Sequence, residues 1–241
     1  MSAKQYKNPP IEEAVCEFTF ASSAQQFDLT VPGRLKMHPL MNEYSGEPQS
    51  QNIQIISPNK APTVEFRVQF PTADGTRLVA IRHNTLAISL LRPYDGWTNF
   101  KPRIEHALDA FFEAISQFAV ARIGVKYVNR IVVPKSGANP ATVLTALPVE
   151  GKVSDARVAN FTQFTEFVRT DEIKVLLTQA TLQPRVPDTT EYLLDIDAIW
   201  DHRPAGNRTE IIDIIEKLHD IEGEAFEALI TDEARRLFDA G

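Results

Sequence analysis

The stretch Arg122-Ile-Gly-Val-Lys-Tyr-Val-Asn-Arg-Ile-Val-Val-Pro134, near the middle of the chain, decides the fold. Its side chains alternate with a period of two, which is the pattern of a β-strand with two different faces. One face carries Ile123, Val125, Tyr127, Ile131 and Val133, and the other carries Lys126, Val128, Arg130 and Val132. β-branched residues favour extended backbone and proline cannot donate into a ladder, so we predict a long strand that ends at Pro134.

A helix precedes this strand, and the chain then repeats the order of elements found in its first half. The first half predicts a strand, a short helix interrupted by proline, four strands and a long helix, at Ile11–Ala21, Leu29–Tyr44, Asn52–Ser57, Thr63–Phe70, Arg77–His83, Thr85–Leu91 and Phe100–Phe118. The second half predicts the central strand, a short helix and three strands, at Arg122–Val133, Ala141–Leu147, Asn160–Arg169, Glu172–Gln183 and Thr190–Trp200. A terminal helix follows, which we expect Thr209 to cap and Gly223 to interrupt.

These patterns predict an α+β fold of two duplicated β-α-β(3-4)-α units, at about residues 8–120 and 121–241. The units are predicted to form one curved antiparallel sheet with two long helices on one face, since the helical stripes need an apolar surface to cover. That order resembles the saddle of TATA-box-binding-type folds. We therefore predict a single domain over residues 1–241. Two separate domains, with a break near Lys135–Ser154, are the alternative, in which each half would have a thin core.

Composition narrows the class of protein. Of the 241 residues, 43% are hydrophobic and 24% are charged, which is ordinary for a globular protein. The net charge of −7 gives no overall attraction to phosphate backbones. The single cysteine, Cys16, cannot form a disulfide within the chain. No apolar run approaches the roughly 20 residues that span a bilayer, so we predict a cytoplasmic protein without a membrane segment.

Two motifs resemble a known family. Tyr6-Lys-Asn-Pro-Pro-Ile-Glu-Glu-Ala-Val-Cys-Glu17 resembles the opening Y-x-N-P-P-I-x-E-A-V-x-E of a sporadically distributed family of bacterial and archaeal proteins with no established activity. Gly124-Val-Lys-Tyr-Val-Asn-Arg-Ile131 is similar to the central motif of that family, G-x-R-Y-x-N-R-I, with Lys126 in place of arginine. The closing residues Leu218-His219 and Phe226 to Thr231 fit its end. The resemblance implies one full-length unit of a bacterial intracellular protein, and the sporadic distribution hints at mobile or defence-linked loci.

Two aspartates are candidate metal ligands. Alternation places Asp195 and Asp197 on one face of a predicted strand, and hard cations such as Mg²⁺ prefer carboxylate oxygens. Metal-dependent phosphoryl transfer could follow from such a pair. The simpler interpretation, which we favour, is that both line a solvent-facing side and pair with Lys126 or Arg130.

Four residues of the central strand form a candidate binding cluster: Lys126, Tyr127, Asn129 and Arg130. A guanidinium such as that of Arg130 can hold a carboxylate or phosphate with two hydrogen bonds. The alternative, which we favour, is pairing with an acid of a neighbouring strand. We expect His219 to be a half-buried helix residue and Cys16 to be a core thiol. Glycine-rich phosphate loops and nucleotide fingerprints are absent from the sequence, so we expect no cofactor.

The sequence leaves three functions open. We expect a non-catalytic protein-binding or assembly module that holds a protein partner, or a second copy of itself, on a free sheet face or an edge strand. A nucleic-acid-binding saddle is the first alternative. It would use Arg67, Arg77, Arg82 and Arg92 with Tyr94, Trp97 and Phe100 as exposed aromatics, but acids are mixed among these residues. A Mg²⁺-dependent phosphoryl-transfer enzyme centred on Asp195 and Asp197 is the second.

Overall fold

The computed structural model describes residues 6–21, 30–57, 60–82, 84–115, 119–137, 139–145 and 158–240. Within these ranges the chain is an α+β protein, as predicted. Its strands are β1 Ile11–Phe20, β2 Gln49–Ser57, β3 Lys60–Pro71, β4 Arg77–Arg82, β5 Thr85–Leu91, β6 Val120–Pro134, β7 Thr162–Val168, β8 Lys174–Leu182 and β9 Thr189–Trp200. Its helices are α1 Val31–Lys36, α2 Trp97–Ala114, α3 Arg208–Leu229 and α4 Asp232–Asp239, with short 3₁₀ helices at Pro39–Met41, Lys135–Gly137 and Pro140–Thr142.

The nine strands of the described residues belong to one sheet, in the order β2-β3-β4-β5-β1-β6-β9-β8-β7. Neighbouring strands run antiparallel: Ile81 lies opposite Leu86 between β4 and β5, and Leu177 lies opposite Ile196 between β8 and β9. β2 and β7 are the two edges. The predicted large antiparallel sheet is confirmed, and each strand lies within three residues of its predicted bounds. Predictions at Leu29, His83, Phe118 and Leu147 fall outside the described residues.

Contacts within the chain divide it into two compact units. The β2–β5 unit comprises Val15–Gly124 and Asp201–Ile214. The β7–β9 unit comprises Met1–Ala14, Val125–Trp200 and Ile215–Gly241. Both units are therefore discontinuous in sequence, because β1, β6 and α3 each contribute residues to both of them.

The core of the β2–β5 unit is built on α2. Phe100, Ile104 and Leu108 of this helix are fully buried, and the ring of Phe111 stacks on that of Phe20 in β1 at a centroid distance of 4.7 Å. Burial of each such side chain contributes about 1.5–3 kcal/mol. Phe100 was expected to be an exposed aromatic, and that expectation is wrong, because it lies on the apolar stripe of the helix.

The core of the β7–β9 unit follows the alternation predicted for β6. Tyr127 and Ile131 are buried while their neighbours along the strand are half-buried, so one face of β6 packs inward. Helix α3 supplies the opposing layer. The buried apolar side chains of that layer and of β9 include Leu194, Ile196, Ala198, Ile215, Leu218 and Ile221.

Helix α3 corrects two predictions. It continues from Arg208 to Leu229 without a break at Gly223. An interior glycine costs only about 1 kcal/mol relative to alanine, which is less than burial of the apolar stripe around it contributes. Its start is capped by Asn207 rather than by Thr209, because the Asn207 Oδ1 atom accepts the amide of Glu210 at 3.0 Å. None of the helices in the described ranges combines the length and apolar character that a membrane crossing requires.

The segment before β1 is fastened to the last two helices of the β7–β9 unit. The Tyr6 hydroxyl donates to Glu227 Oε1 at 2.6 Å, and the Tyr6 ring meets that of Phe238 edge-on at 5.4 Å. The amide of Asn8 donates to the carbonyl of Phe238 at 2.9 Å. Burial and the Glu227 carboxylate raise the pKa of Tyr6 above its ordinary value, so the hydroxyl stays a donor. Hydrogen bonds and ring contacts therefore join the segment before β1 to helices α3 and α4, which lie far from it in sequence.

Candidate functional site

Two of the four predicted binding residues, Lys126 and Arg130, lie on the half-buried face of β6 and each reaches a carboxylate of β9. The Lys126 Nζ atom is 2.8 Å from Asp195 Oδ2. The Arg130 Nε atom contacts the carboxylate of Glu191, and its guanidinium also donates to the carbonyl of Gln183 at 2.8 Å. The structure therefore shows both cations paired with acids of the neighbouring strand.

Glu191 is 1% exposed and receives several hydrogen bonds. Its carboxylate accepts the backbone amides of Arg185 at 2.6 Å and of Val186 at 3.3 Å. Burial alone would raise the pKa of Glu191, but the Arg185 amide and the Arg130 guanidinium hold that pKa below its ordinary value. Arg130 is thus committed to a buried, ionised carboxylate of its own chain.

The other two predicted binding residues, Tyr127 and Asn129, lie on the opposite, buried face of β6. The Tyr127 hydroxyl is 3.2 Å from His219 Nδ1 of α3. The Asn129 Nδ2 atom donates to the carbonyl of Leu194 at 3.1 Å. Burial lowers the pKa of His219, which is half-buried as predicted. The predicted cluster is therefore divided between two faces, because adjacent residues of a strand point to opposite sides.

Asp195 and Asp197, the predicted metal ligands, share one face of β9. Their register partners on β8 are Thr178 and Leu176. Asp195 forms the ion pair with Lys126 that the simpler interpretation expected. Among the described residues, no group of three or more His, Cys, Asp or Glu side chains is arranged to hold a metal ion.

The edge strand β7 presents an exposed apolar surface that the sequence did not single out. Phe164 is 63% exposed, Val168 is 66% exposed and Phe167 is 49% exposed. Large apolar side chains at this exposure on an edge strand mark a site where another strand can pair. We call Phe164, Glu166, Phe167 and Val168 the β7 edge.

The backbone N–H and C=O groups of β7 point alternately toward β8 and toward the open side of the strand. The Phe161 carbonyl accepts the amide of Thr181 at 2.9 Å, and the amide of Arg169 donates to the carbonyl of Ile173 at 2.9 Å. Odd-numbered residues of β7 therefore direct their backbone groups toward β8, because the direction alternates in an antiparallel pair. The even-numbered residues, from Thr162 to Val168, direct theirs toward the open side.

The β7 edge adjoins the half-buried face of the β7–β9 unit. Phe164 lies opposite Thr178, and Thr178 lies opposite Asp195, so these three side chains project from the same face. Lys126 reaches Asp195 on that face. Exposed apolar groups thus lie at its margin, and paired charges lie nearer its middle.

The opposite face of this unit contains buried polar groups. Gln179 is fully buried, lies opposite Gln163, and among the described residues neither of its amide atoms has a hydrogen-bond partner. Glu222 of α3 is 5% exposed, and within the same ranges its Oε1 atom has no partner either. Burial raises the pKa of Glu222 well above its ordinary value, which favours the neutral form of this carboxyl. Unpaired groups of this kind lower the stability of the unit.

The basic residues considered for nucleic acid are partly engaged in ion pairs. Arg77 pairs with Glu43 at 2.8 Å, and in the same unit Arg122 pairs with Glu17 at 2.9 Å. Tyr94 and Trp97 are half-buried. Acids therefore accompany the cations here in the structure, as they do along the sequence.

Comparison of the sequence with protein families and curated proteins identifies no relative. No protein-family model matches the sequence, and no curated protein is significantly similar to it. The resemblance carried by the opening and central motifs stays a prediction.

Proposed function

We propose that this chain is a non-catalytic protein-binding and assembly module whose binding element is the β7 edge. The observation that carries the proposal is the 63% exposure of Phe164 and 66% exposure of Val168 on a strand with an open side. A segment that adds a strand to a sheet edge gains backbone hydrogen bonds for affinity and side-chain contacts for specificity. Burial of these side chains by a partner would remove apolar surface from water.

The state of the charged candidates also supports binding rather than catalysis. Lys126 and Arg130 each pair with a carboxylate of β9, so an incoming anion would have to displace an internal partner. Asp195 is likewise occupied by Lys126, which competes with a cation for its oxygens. These side chains therefore support the sheet, whereas the β7 edge groups three exposed large apolar side chains on one strand.

The proposal includes a duplicated saddle as the platform. Each half of the sequence has the same order of elements: a strand, a helical segment, a meander of strands and a long helix. The last strand of each meander lies beside the first strand of its half, β5 beside β1 and β9 beside β6. The shared order supports two β-α-β(3-4)-α units with both long helices on one face, as in TATA-box-binding-type folds. Among the described residues the second half has one strand fewer, so β2 has no counterpart beside β7.

A capture experiment tests the proposal. Tagged wild-type protein, Phe164→Glu and Met37→Glu are incubated with an extract of the source organism, and bound proteins are quantified against the bait. Met37 is 83% exposed and lies in the β2–β5 unit, so it is a matched control for loss of an exposed apolar side chain. Copies of the chain itself count as bound protein and are distinguished by a second tag.

The expected result is a protein bound near stoichiometry by the wild type and by Met37→Glu, and lost from Phe164→Glu. A buried carboxylate at the interface would cost far more than it gains, because it would have no counter-charge. The proposal fails if no protein depends on Phe164 for capture, or if bound nucleic acid replaces protein as the recovered component.

A further inference from the structure

The open side of β7 restricts how another strand can pair with it. The odd-numbered residues are hydrogen-bonded toward β8, as Phe161 is to Thr181. The backbone groups of the even-numbered residues Thr162, Phe164, Glu166 and Val168 therefore face outward. An incoming antiparallel strand must place its own outward-facing residues opposite these four. For two copies related by a two-fold axis, the axis must therefore pass through a residue of β7 and not between two residues.

Three such arrangements are centred on the middle of β7, and they differ in charge. An axis at Glu166 sets two carboxylates directly opposite each other, which is destabilising. An axis at Thr165 sets Phe164 opposite the charge of Glu166. An axis at Phe164 sets the two Phe164 rings opposite each other, and Glu166 then lies opposite Thr162.

The arrangement centred on Phe164 also pairs other aromatic groups. Phe161, whose ring lies 6.3 Å from that of Tyr192, would meet the exposed Phe167 of the other copy on both sides of the axis. Cross-strand aromatic pairs are among the stabilising pairs of antiparallel sheets. Three hydrogen-bonded residue pairs form in this register, each of which exchanges two backbone bonds.

We infer that the protein occupying the β7 edge is a second copy of this chain, paired antiparallel about Phe164 so that two sheets join edge to edge. This inference rests on the proposed function and names its partner. The strand from Thr162 to Val168 carries a single charge, that of Glu166, and this register keeps the two copies of that charge apart. A surface that is complementary to itself fits an isologous dimer.

Net charge gives the dimer a distinctive salt response. Each copy carries −7, so two copies repel each other at long range while the apolar contact holds them together. Salt screens that repulsion. Dimerisation is therefore expected to strengthen with ionic strength, whereas a basic partner would bind less tightly as salt is added.

Sedimentation velocity tests the dimer from low to high micromolar protein and at two salt concentrations. The wild type and Met37→Glu are expected to dimerise more tightly in high salt. Phe164→Glu is expected to weaken the dimer about tenfold or more, since it sets two carboxylates opposite each other. Glu166→Pro provides a second variant, because it removes an outward amide that β8 does not use and blocks pairing at the edge. Circular dichroism confirms that each variant is folded.

Cysteine cross-linking tests the register. Phe164→Cys is expected to form an intermolecular disulfide under mild oxidation, since Cα atoms about 5.5 Å apart in a hydrogen-bonded pair suit a disulfide. Val168→Cys is the matched control, because it would lie opposite Asn160. The native Cys16 is fully buried and gives a low background. A disulfide formed by Thr165→Cys but not by Phe164→Cys would overturn the register.

The outcomes separate this inference from the proposed function. A wild type that remains monomeric at every concentration and salt overturns the second-copy inference, as does a dimer that Phe164→Glu leaves unchanged. If the monomeric wild type still captures a different protein through Phe164, the proposed function stands and only its partner was wrong. If neither a copy nor another protein depends on Phe164, both fail.

Discussion

Strands β6 and β7 lie in the same sheet and carry apolar residues on both faces, yet their side chains have different roles. β6 lies between β1 and β9, and its cations Lys126 and Arg130 pair with carboxylates of β9. Within the part of the chain that the structure describes, β7 pairs with β8 alone, and Phe164 and Val168 are exposed. The comparison teaches that the position of a strand in the sheet decides whether a conspicuous residue is structural or available.

Removal of the Arg130 side chain from β6 should cause the largest loss of unfolding free energy. Arg130→Ala leaves Glu191, which is 1% exposed, without its guanidinium partner. Loss of one member of a buried ion pair costs about 3–5 kcal/mol of unfolding free energy. Urea denaturation measures the change. Lys126→Ala is the matched control: its side chain is 37% exposed, so its pair with Asp195 should contribute at most about 1 kcal/mol. Equal losses for the two variants would contradict the comparison.

Truncation of a core side chain on β6 should have the next largest effect. Ile131 is fully buried, and Ile131→Ala removes packing and leaves a cavity. The expected cost is about 2–5 kcal/mol, read from the midpoint of urea denaturation at an unchanged slope. A loss below about 1 kcal/mol would show that the site can collapse around the smaller residue.

The buried carboxyl of Glu222 should make stability depend on pH in one direction. Because burial raises its pKa in the folded state, the unfolded chain loses its proton first as pH rises from the ordinary value of 4.5. The carboxyl therefore lowers stability progressively above that pH, by at most about 1.4 kcal/mol per pH unit, until the folded pKa is passed.

Glu222→Gln removes the titratable carboxyl and with it the loss of stability that Glu222 causes as pH rises. The variant should gain on the wild type as pH rises from the ordinary value of 4.5 toward the folded-state pKa, as measured by urea denaturation at several pH values. Glu224→Gln, on an exposed position of the same helix, controls for removal of one carboxyl from the protein. A difference between Glu222→Gln and the wild type that stays constant with pH would contradict the prediction.

Truncation at the β7 edge should have the smallest effect on folding. Val168→Ala makes the same kind of change as Ile131→Ala, but at a side chain that is 66% exposed. The expected change in unfolding free energy of the monomer is within about 0.5 kcal/mol. The pair of measurements sharpens the comparison, since a large loss at Val168 would show that this edge is packed within its own chain.

Local patterns in the sequence predicted much of the fold. The alternation of β6 and the apolar stripe of α2 are properties of neighbouring residues, and the structure confirms both. Caps are also local: Asn139 Oδ1 accepts the amide of Ala141 at 3.0 Å and starts a short helix at Pro140, as the Asn-Pro pair indicates. Gly223 was misjudged because propensity was weighed without the tertiary burial that overrides it.

The candidate site depended on information that local patterns lack. Whether β7 is an edge is decided by strand order, which pairs residues far apart in sequence. Phe164 and Phe167 fall on opposite faces, a pattern equally typical of a strand covered on both sides. Arg130 pairs with an acid of a neighbouring strand, as predicted, but only the register shows that this acid is Glu191. Alternation alone separates Tyr127 and Asn129 from the two cations, so grouping all four residues as one cluster disregarded the two faces of the strand.

The interleaving of the two units along the chain has a consequence for synthesis. The β7–β9 unit needs Tyr6 from one end and Phe238 from the other, and α3 completes both units. The β2–β5 unit is complete only when Asp201–Ile214 has left the ribosome, and the β7–β9 unit only when α4 has, so the early strands must wait with their apolar faces uncovered. Through that interval the nascent polypeptide is open to wrong pairings, and shielding by chaperones matters most before α4 emerges.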